Sequence, residues 1–213
     1  MNHIALSKNT LSETIIEGNE IEVLDNIWAR GCDVAVYHRK PDYGLQDWLD
    51  NIPPENLPVA RLSLEAEQVK NAISNIFKEC EIYDNPHGQW LIADISSLAK
   101  YFQRLMRTKK VNLRLDVVDN NACRKFHQDY VAARLLSSYR GRGTQYGICQ
   151  TNEEPNQIHE LPQQSIGIFK GRRWLPAMPS SLYHRSPPIE GTGETRLLLV
   201  IDTGTCDDDC GTC

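Results

Sequence analysis

The hydrophobic periodicity of this chain changes near residue 110, and that change limits the folds it can adopt. Residues 89–107 place an apolar stripe on one helical face, formed by Leu91, Ile92, Ile95, Leu98, Phe102 and Leu105. A period of about 3.6 residues is typical of an amphipathic helix. After Lys110 the period becomes two, because Val111, Leu113, Leu115 and Val117 recur at every second position. The chain therefore combines helices and strands in an α+β fold.

The same two periods predict the remaining elements. Residues 19–30 and 63–78 carry apolar positions at helical spacing, and the first segment stops at Gly31, a usual helix terminator. Extended segments or strands are predicted at residues 33–38, 111–118, 126–130, 134–139, 165–169 and 196–201. Short strands separated by turn residues indicate a sandwich or barrel. We expect one compact unit with a mainly helical layer at residues 1–110, a strand-rich core at 111–203 and a tail at 204–213.

Composition narrows the range of partners. The chain has 213 residues and a formal charge of −5, whereas dedicated nucleic-acid-binding proteins usually carry a basic footprint. Its N-terminus lacks the apolar core of a signal peptide, and no stretch has the roughly 18 to 20 apolar residues of a membrane span. We expect a cytoplasmic protein whose partner is a small-molecule or peptide substrate, with no nucleic acid and no membrane.

The seven cysteines are unevenly distributed, and three of them lie in the last eight positions. Cys206, Cys210 and Cys213 form a C-x₃-C-x₂-C tail among aspartates. Three thiolates suit Zn²⁺ or Cu⁺, so the tail is a candidate second metal site. A flexible terminus with free thiols explains the same pattern equally well.

A possible metal centre is encoded in the second half of the chain. His127 and Asp129 are two residues apart, so in a strand both side chains project from the same face. His184 is a candidate third ligand from a distant strand. Two histidines and one carboxylate form the facial triad of non-haem Fe(II) enzymes, which leaves the other metal positions open.

Arg196 adds a second element to this pattern. It follows His184 by twelve residues and begins the apolar run Leu197 to Ile201. A buried guanidinium needs a counter-charge, and its fork binds a carboxylate through two hydrogen bonds. A dicarboxylate such as a 2-oxoacid, chelated to iron at its other end, would supply that charge.

Several motifs in this region resemble the bacterial DUF1826 family, a domain of unknown function. They are residues 123–129 (CRKFHQD), 134–146 (RLLSSYRGRGTQY), 167–171 (GIFKG), 184–188 (HRSPP) and 196–202 (RLLLVID). The resemblance covers residues 20–203. The motif order is also similar to that of the Fe(II)/2-oxoglutarate oxygenases, although this chain has Gly-Arg-Gly-Thr at residues 141–144 where Gly-Pro-Gly-Thr is usual.

The resemblance implies a fold and a chemistry. The fold would be N-terminal helices packed on a C-terminal double-stranded β-helix of jelly-roll or cupin-like form. His127, Asp129 and His184 would bind Fe(II), Arg196 would anchor 2-oxoglutarate, and Tyr139 would donate a hydrogen bond to that co-substrate. The activity would be hydroxylation of an unidentified substrate by a dioxygenase, with no catalytic residue beyond the metal ligands.

A second interpretation remains open on the same residues. Zinc also accepts histidine and carboxylate ligands, and the resemblance extends to proteins found in zinc-limitation responses. The alternative function is a non-catalytic zinc-binding or metal-handling protein in zinc homeostasis. It would use the triad, the cysteine tail or both.

Overall fold

The computed structural model describes residues 14–149, 154–175 and 180–203. Three α-helices lie in the first half of the chain: α1 (Tyr43–Asp50), α2 (Ala66–Glu79) and α3 (Pro86–Met106). Short 3₁₀ helices span Ile21–Trp28 and Pro54–Asn56. Ten strands complete the described fold: β1 (Ile15–Gly18), β2 (Val34–Tyr37), β3 (Ala60–Leu64), β4 (Val111–Val118), β5 (Ala133–Arg140), β6 (Gln145–Ile148), β7 (His159–Glu160), β8 (Ile166–Lys170), β9 (Leu182–Arg185) and β10 (Arg196–Thr203).

Local chemistry explains where the long helices begin and end. A capping box between Glu65 and Gln68 starts α2. Asn85 caps α3 by accepting a hydrogen bond from the amide of His87 at 2.8 Å, and Pro86 occupies the first turn. The left-handed conformation of Arg107, with φ of 51°, ends α3.

The strands form two sheets. The larger has seven strands in the order β1-β2-β8-β5-β10-β4-β3, and the smaller has three in the order β7-β6-β9. All neighbours are antiparallel except β1 and β2. The four strands β4, β10, β5 and β8 lie side by side, with consecutive strands of the chain often in different sheets. This is a mixed α+β architecture built around one large sheet.

The two faces of the large sheet belong to different apolar clusters. Leu197, Leu199 and Ile201 of β10 join one cluster with buried residues of all three helices. Val200 belongs to the other, with Leu198 packed against it, and this cluster includes residues of β6 and β9 in the small sheet. The alternation along β10 thus separates a helical side from an interior between the sheets. Arg196 and Asp202 share the parity of Leu198 and Val200, so they belong to the interior face.

The structure confirms the strand at 111–118 and nearly matches those at 134–139, 165–169 and 196–201. The extended segment predicted at 33–38 is β2, whereas β1 and β3 were not predicted. Within the predicted helix at 19–30, residues Ile21–Trp28 form a 3₁₀ helix. The predicted strand at residues 126–130 is wrong, since only a single bridge forms there, between His127 and His184. Among the described residues, none of the helices has the length and apolarity to cross a membrane.

Candidate metal centre

One antiparallel bridge brings two candidate ligands together. The amide of His127 donates to the carbonyl of His184, and the amide of His184 donates to the carbonyl of His127, each over 3.0 Å. The side-chain amide of Gln128 fastens the same segment, donating to the carbonyls of Ser180 at 2.7 Å and Leu182 at 2.9 Å. The segment around His127 therefore runs beside β9 and extends the small sheet by one position.

The three predicted ligand side chains meet at this bridge. Ligand atoms of His127, Asp129 and His184 all lie within 4.8 Å of one another. His184 Nε2 is 2.9 Å from Asp129 Oδ2, and His127 Nε2 is 3.6 Å from Asp129 Oδ1. Adjacent ligands on a metal with bonds of about 2.1 Å are separated by about 3 Å. The spacing therefore suits a single divalent metal ion.

The hydrogen bonds of the site leave His127 Nε2 and Asp129 Oδ2 available to bind a metal. His127 Nδ1 lies 2.9 Å from the carbonyl of Lys125, which favours the tautomer protonated on Nδ1 and leaves the Nε2 lone pair free. Asp129 Oδ2 is buried and accepts no hydrogen bond of good geometry, although His184 Nε2 lies 2.9 Å from it. A buried acceptor without a donor is costly, and a metal cation would satisfy it. The residues present therefore fit a metal.

The electrostatics of the three groups favour the ligand state of Asp129. Burial by itself would raise its pKa, but contacts with His127 and His184, together with Arg134, hold the pKa of Asp129 well below its usual range. The contact with Asp129 raises the pKa of His127, whereas burial lowers the pKa of His184. Asp129 is thus ionised and His184 is neutral at neutral pH, as metal ligands must be.

Arg134 and Asp202 complete the site, and the sequence pattern did not single them out. Arg134 forms an ion pair with Asp129 Oδ1 through Nη1. It also donates to both carboxylate oxygens of Asp202, at 2.6 and 2.8 Å. Register reveals why the two meet, since Arg134 on β5 pairs directly with Asp202 on β10. The sequence offered one signal for this ion pair. Arg134 lies near the start of β5 and Asp202 near the end of β10, so the two meet if these strands pair antiparallel.

Arg196 is fully buried on the interior face of β10. Its Nε donates to the carbonyl of Arg142 at 2.7 Å, and its Nη2 donates to Ser138 Oγ at 3.2 Å and Thr144 Oγ1 at 3.4 Å. Nη1 has no hydrogen-bond partner, and no carboxylate of the described residues forms an ion pair with Arg196. Burial lowers the pKa of this guanidinium to about 10, so it remains charged at neutral pH.

Tyr139 does not lie with the other predicted site residues. It belongs to the cluster on the helical side of the sheet, and its hydroxyl donates to Asp94 Oδ2 on α3 at 2.6 Å. Arg39 donates to the same carboxylate oxygen at 2.8 Å. Burial raises the pKa of the Tyr139 hydroxyl well above its usual value. The structure therefore does not bring the Tyr139 hydroxyl to the other predicted site residues, and its predicted hydrogen bond to a co-substrate stays a prediction.

The proposed cysteine site cannot be placed, because Cys206, Cys210 and Cys213 lie outside the described residues. The geometry of the described residues gives no support to a role in zinc homeostasis. His127, Asp129 and His184 are the ligand types shared by Fe(II) and zinc sites, so their geometry leaves the metal unassigned.

Comparisons with known proteins agree with this architecture. A family model described as "Protein of unknown function (DUF1826)" matches residues 18–202. Curated protein sequences contain no match. Among solved structures, dioxygenase for auxin oxidation 1 from Arabidopsis thaliana, in a binary complex with 2-oxoglutarate, has 10% identity and a TM-score of 0.54, with 92% of this chain and 93% of that chain covered.

Two further solved structures are similar over most of their length. The dioxygenase for auxin oxidation in rice has 12% identity and a TM-score of 0.49, over 92% of this chain and 84% of that chain. A prolyl-4-hydroxylase from Pseudomonas putida has 10% identity and a TM-score of 0.41, over 85% of this chain and 92% of that chain. The likeness of fold rests on the Arabidopsis structure, whose fold is the double-stranded β-helix.

Proposed function

This chain belongs to the DUF1826 family of proteins of unknown function, and we propose that it is an Fe(II)- and 2-oxoglutarate-dependent oxygenase. The observation that carries the proposal is the pairing of two features. A His-Asp-His cluster gathers at the bridge between His127 and His184, and the guanidinium of Arg196, buried without an ion-pair partner among the described residues, lies on the interior face of β10. A metal site alone does not require such an arginine.

His127, Asp129 and His184 would hold the metal. Bound Fe(II) would activate O₂, with one oxygen atom entering the substrate as a hydroxyl group and the other oxidising 2-oxoglutarate to succinate and CO₂. The three protein ligands leave the remaining positions of an octahedral ion for co-substrate and O₂. Arg134 occupies Asp129 Oδ1 and leaves Oδ2 without a hydrogen bond of good geometry, so it restricts the carboxylate to one free oxygen.

Arg196 would bind the distal carboxylate of 2-oxoglutarate. Its unpartnered Nη1 is buried, and a carboxylate is the group that satisfies a guanidinium through paired hydrogen bonds. Backbone register relates Arg196 to one of the ligands. Arg196 donates to Thr144, and Tyr146, two residues further along the chain, pairs with His184 on β9.

The interior between the two sheets is apolar. Val34, Val36, Leu136, Leu161 and Val200 are all buried in the cluster of side chains that packs there. A low-dielectric surrounding would strengthen the attraction between Arg196 and a bound carboxylate. It would also limit the access of water to the reacting centre.

The proposal is tested by anaerobic addition of Fe(II) and 2-oxoglutarate to purified apo-protein. A weak metal-to-ligand charge-transfer band in the visible region is expected, because the co-substrate chelates the metal. His127→Ala removes a ligand and should abolish the band. His87→Ala is the matched control, since His87 stacks on Trp48 in the helical region. Absence of the band in a protein that has bound iron would contradict the assignment.

A further inference from the structure

A cavity of about 600 Å³ opens beside the metal ligands. Its lining includes His127 itself, with Arg124, Lys125, Arg172, Tyr183 and Arg185 around it. Pockets for small-molecule ligands usually occupy about 300 to 1,000 Å³. The cavity therefore has the size of a substrate site. It adjoins His127, one of the three proposed metal ligands.

The charge of this cavity is opposite to that of the whole chain. Four of its lining residues are arginine or lysine and one, Glu154, is acidic, although the chain carries a formal charge of −5. Glu154 is already engaged, because Arg185 Nη1 donates to it at 2.7 Å. Arg124, Lys125 and Arg172 form no ion pair with any described residue. Their uncompensated charge concentrates anions at this opening.

Each cation is either within three residues of a proposed metal ligand in sequence or hydrogen-bonded to one through its backbone. Arg124 and Lys125 precede His127, and Arg185 directly follows His184. The amide of Arg172 donates to the carbonyl of Asp129 at 2.8 Å. Each ligand therefore has a cation fixed near it. An arrangement in which three separate segments each contribute a cation is not explained by packing.

Arg185 is the best ordered of the four. Its Nε donates to Gln145 Oε1 at 2.9 Å, and its guanidinium lies 4.4 Å from the centre of the Phe126 ring. Stacking on an aromatic face and two hydrogen bonds fix the plane of the guanidinium. The other three cations are exposed and can adjust to a ligand. The cavity therefore offers a ligand one constrained cation, Arg185, and three cations that can change rotamer.

We propose that this cavity binds the substrate through a doubly charged oxyanion, and that the substrate is a phosphorylated small molecule. Three unpaired cations exceed the charge of a single carboxylate, whereas a phosphate monoester is largely a dianion at neutral pH. Identifying the ligand as a substrate rests on the proposed oxygenase function. The anion site itself does not.

Binding of inorganic phosphate to metal-free protein, measured by calorimetry, tests the anion site. The variants Arg124→Gln, Lys125→Gln and Arg172→Gln each remove one unpaired cation without altering a metal ligand. Each should weaken phosphate binding by about threefold, the range expected of an exposed charge contact, and the triple variant should weaken it more. Lys70→Gln, an exposed charge on α2, is the control and should bind as the unmodified protein does.

The position of the anion is tested by ³¹P NMR with Mn²⁺ at the metal centre. Phosphate in the cavity should show strong paramagnetic broadening that the triple variant reduces, whereas Zn²⁺ should cause none. Unchanged phosphate affinity in the triple variant would overturn the proposal, as would an equal loss in Lys70→Gln. If citrate binds and phosphate does not, a polycarboxylate replaces the phosphorylated class and the proposal fails.

These experiments test the anion site and the oxygenase proposal independently. Loss of the Fe(II)–2-oxoglutarate band with retained phosphate binding would reject the oxygenase and keep the anion site. A normal band with no phosphate binding would do the reverse. If the triple variant instead loses 2-oxoglutarate, the cations serve the co-substrate and the substrate proposal is overturned.

Discussion

His127 and His184 are joined by two reciprocal backbone hydrogen bonds of 3.0 Å, so a single bridge sets the separation of both imidazoles. No continuous strand surrounds His127. Its position instead depends on that bridge and on the side chain of Gln128. Contacts that are remote from the metal therefore control the geometry of the site.

Replacing Gln128 with alanine should weaken metal binding. Gln128 Nε2 donates to the carbonyls of Ser180 and Leu182, and no other side chain among the described residues makes these bonds. Loss of residues that orient metal ligands typically costs 10- to 100-fold in affinity, and about 10-fold is expected here. Mn²⁺ titration followed by calorimetry measures the change. Gln89→Ala, which removes an exposed bond to the carbonyl of Tyr83, should leave the affinity unaltered.

Arg196→Met should separate stability from co-substrate binding. The guanidinium is buried without a carboxylate partner among the described residues, so removing its desolvated charge offsets the loss of its hydrogen bonds to Arg142, Ser138 and Thr144. The free energy of unfolding should therefore change by no more than about 1 kcal/mol. Affinity for 2-oxoglutarate should fall by about 30-fold or more, since losing one member of a buried charge pair costs about 2 kcal/mol or more.

Chemical denaturation and the charge-transfer titration together measure these two effects. Arg140→Met is the matched control, because Arg140 donates to the carbonyls of Leu49 and Ile52 beneath α1. That variant should lose stability and retain 2-oxoglutarate. If Arg196→Met unfolds the protein while Arg196→Lys restores stability but not co-substrate affinity, the anchoring role still stands. Full affinity in either Arg196 variant would contradict it.

Tyr139→Phe should have the opposite signature. Its hydroxyl donates to Asp94 at 2.6 Å on the helical side of the large sheet. Loss of a buried hydrogen bond to a carboxylate should lower the free energy of unfolding by about 2 kcal/mol. Binding of 2-oxoglutarate should be unchanged, because the hydroxyl does not face the interior. A drop in co-substrate affinity at unchanged stability would return Tyr139 to the site.

Metal binding should release up to one proton from the protein at about pH 6, and fewer as the pH rises. His127, whose pKa is raised by Asp129, is charged at the lower pH and must lose its proton to bind metal. Burial lowers the pKa of His184, so that imidazole is already neutral. Asp129, with a depressed pKa, is already ionised. Calorimetry in buffers of different ionisation enthalpy counts the protons, and release of two would show that both histidines are charged.

The sequence predicted which three side chains come together better than it predicted the backbone that carries them. His127 and Asp129 were expected on one strand, yet only His127 forms a bridge. The side chains still converge because Arg134 and the two histidines all contact Asp129. Ligand chemistry was readable from residue types. The role of Arg134 was not, since it depends on the pairing of β5 with β10.

The misplacement of Tyr139 has a specific cause. Residues 135–139 of β5 are buried on both faces of the sheet, so polar and apolar residues do not alternate there. Without alternation the parity of a strand cannot be read from sequence. The basic cavity was missed for a related reason. Arg124, Arg172 and Arg185 belong to segments far apart in the chain, and only the folded structure brings them together.

The alternation along β10 gives distant substitutions a route to the site. Leu199 faces the helices while Leu198 and Val200 face the interior, and one backbone carries all three. A cavity made beneath α3, for example by Leu199→Ala, would let β10 settle toward the helices and draw Arg196 and Asp202 with it. Substitutions that do not contact the proposed metal ligands would then weaken the binding of 2-oxoglutarate.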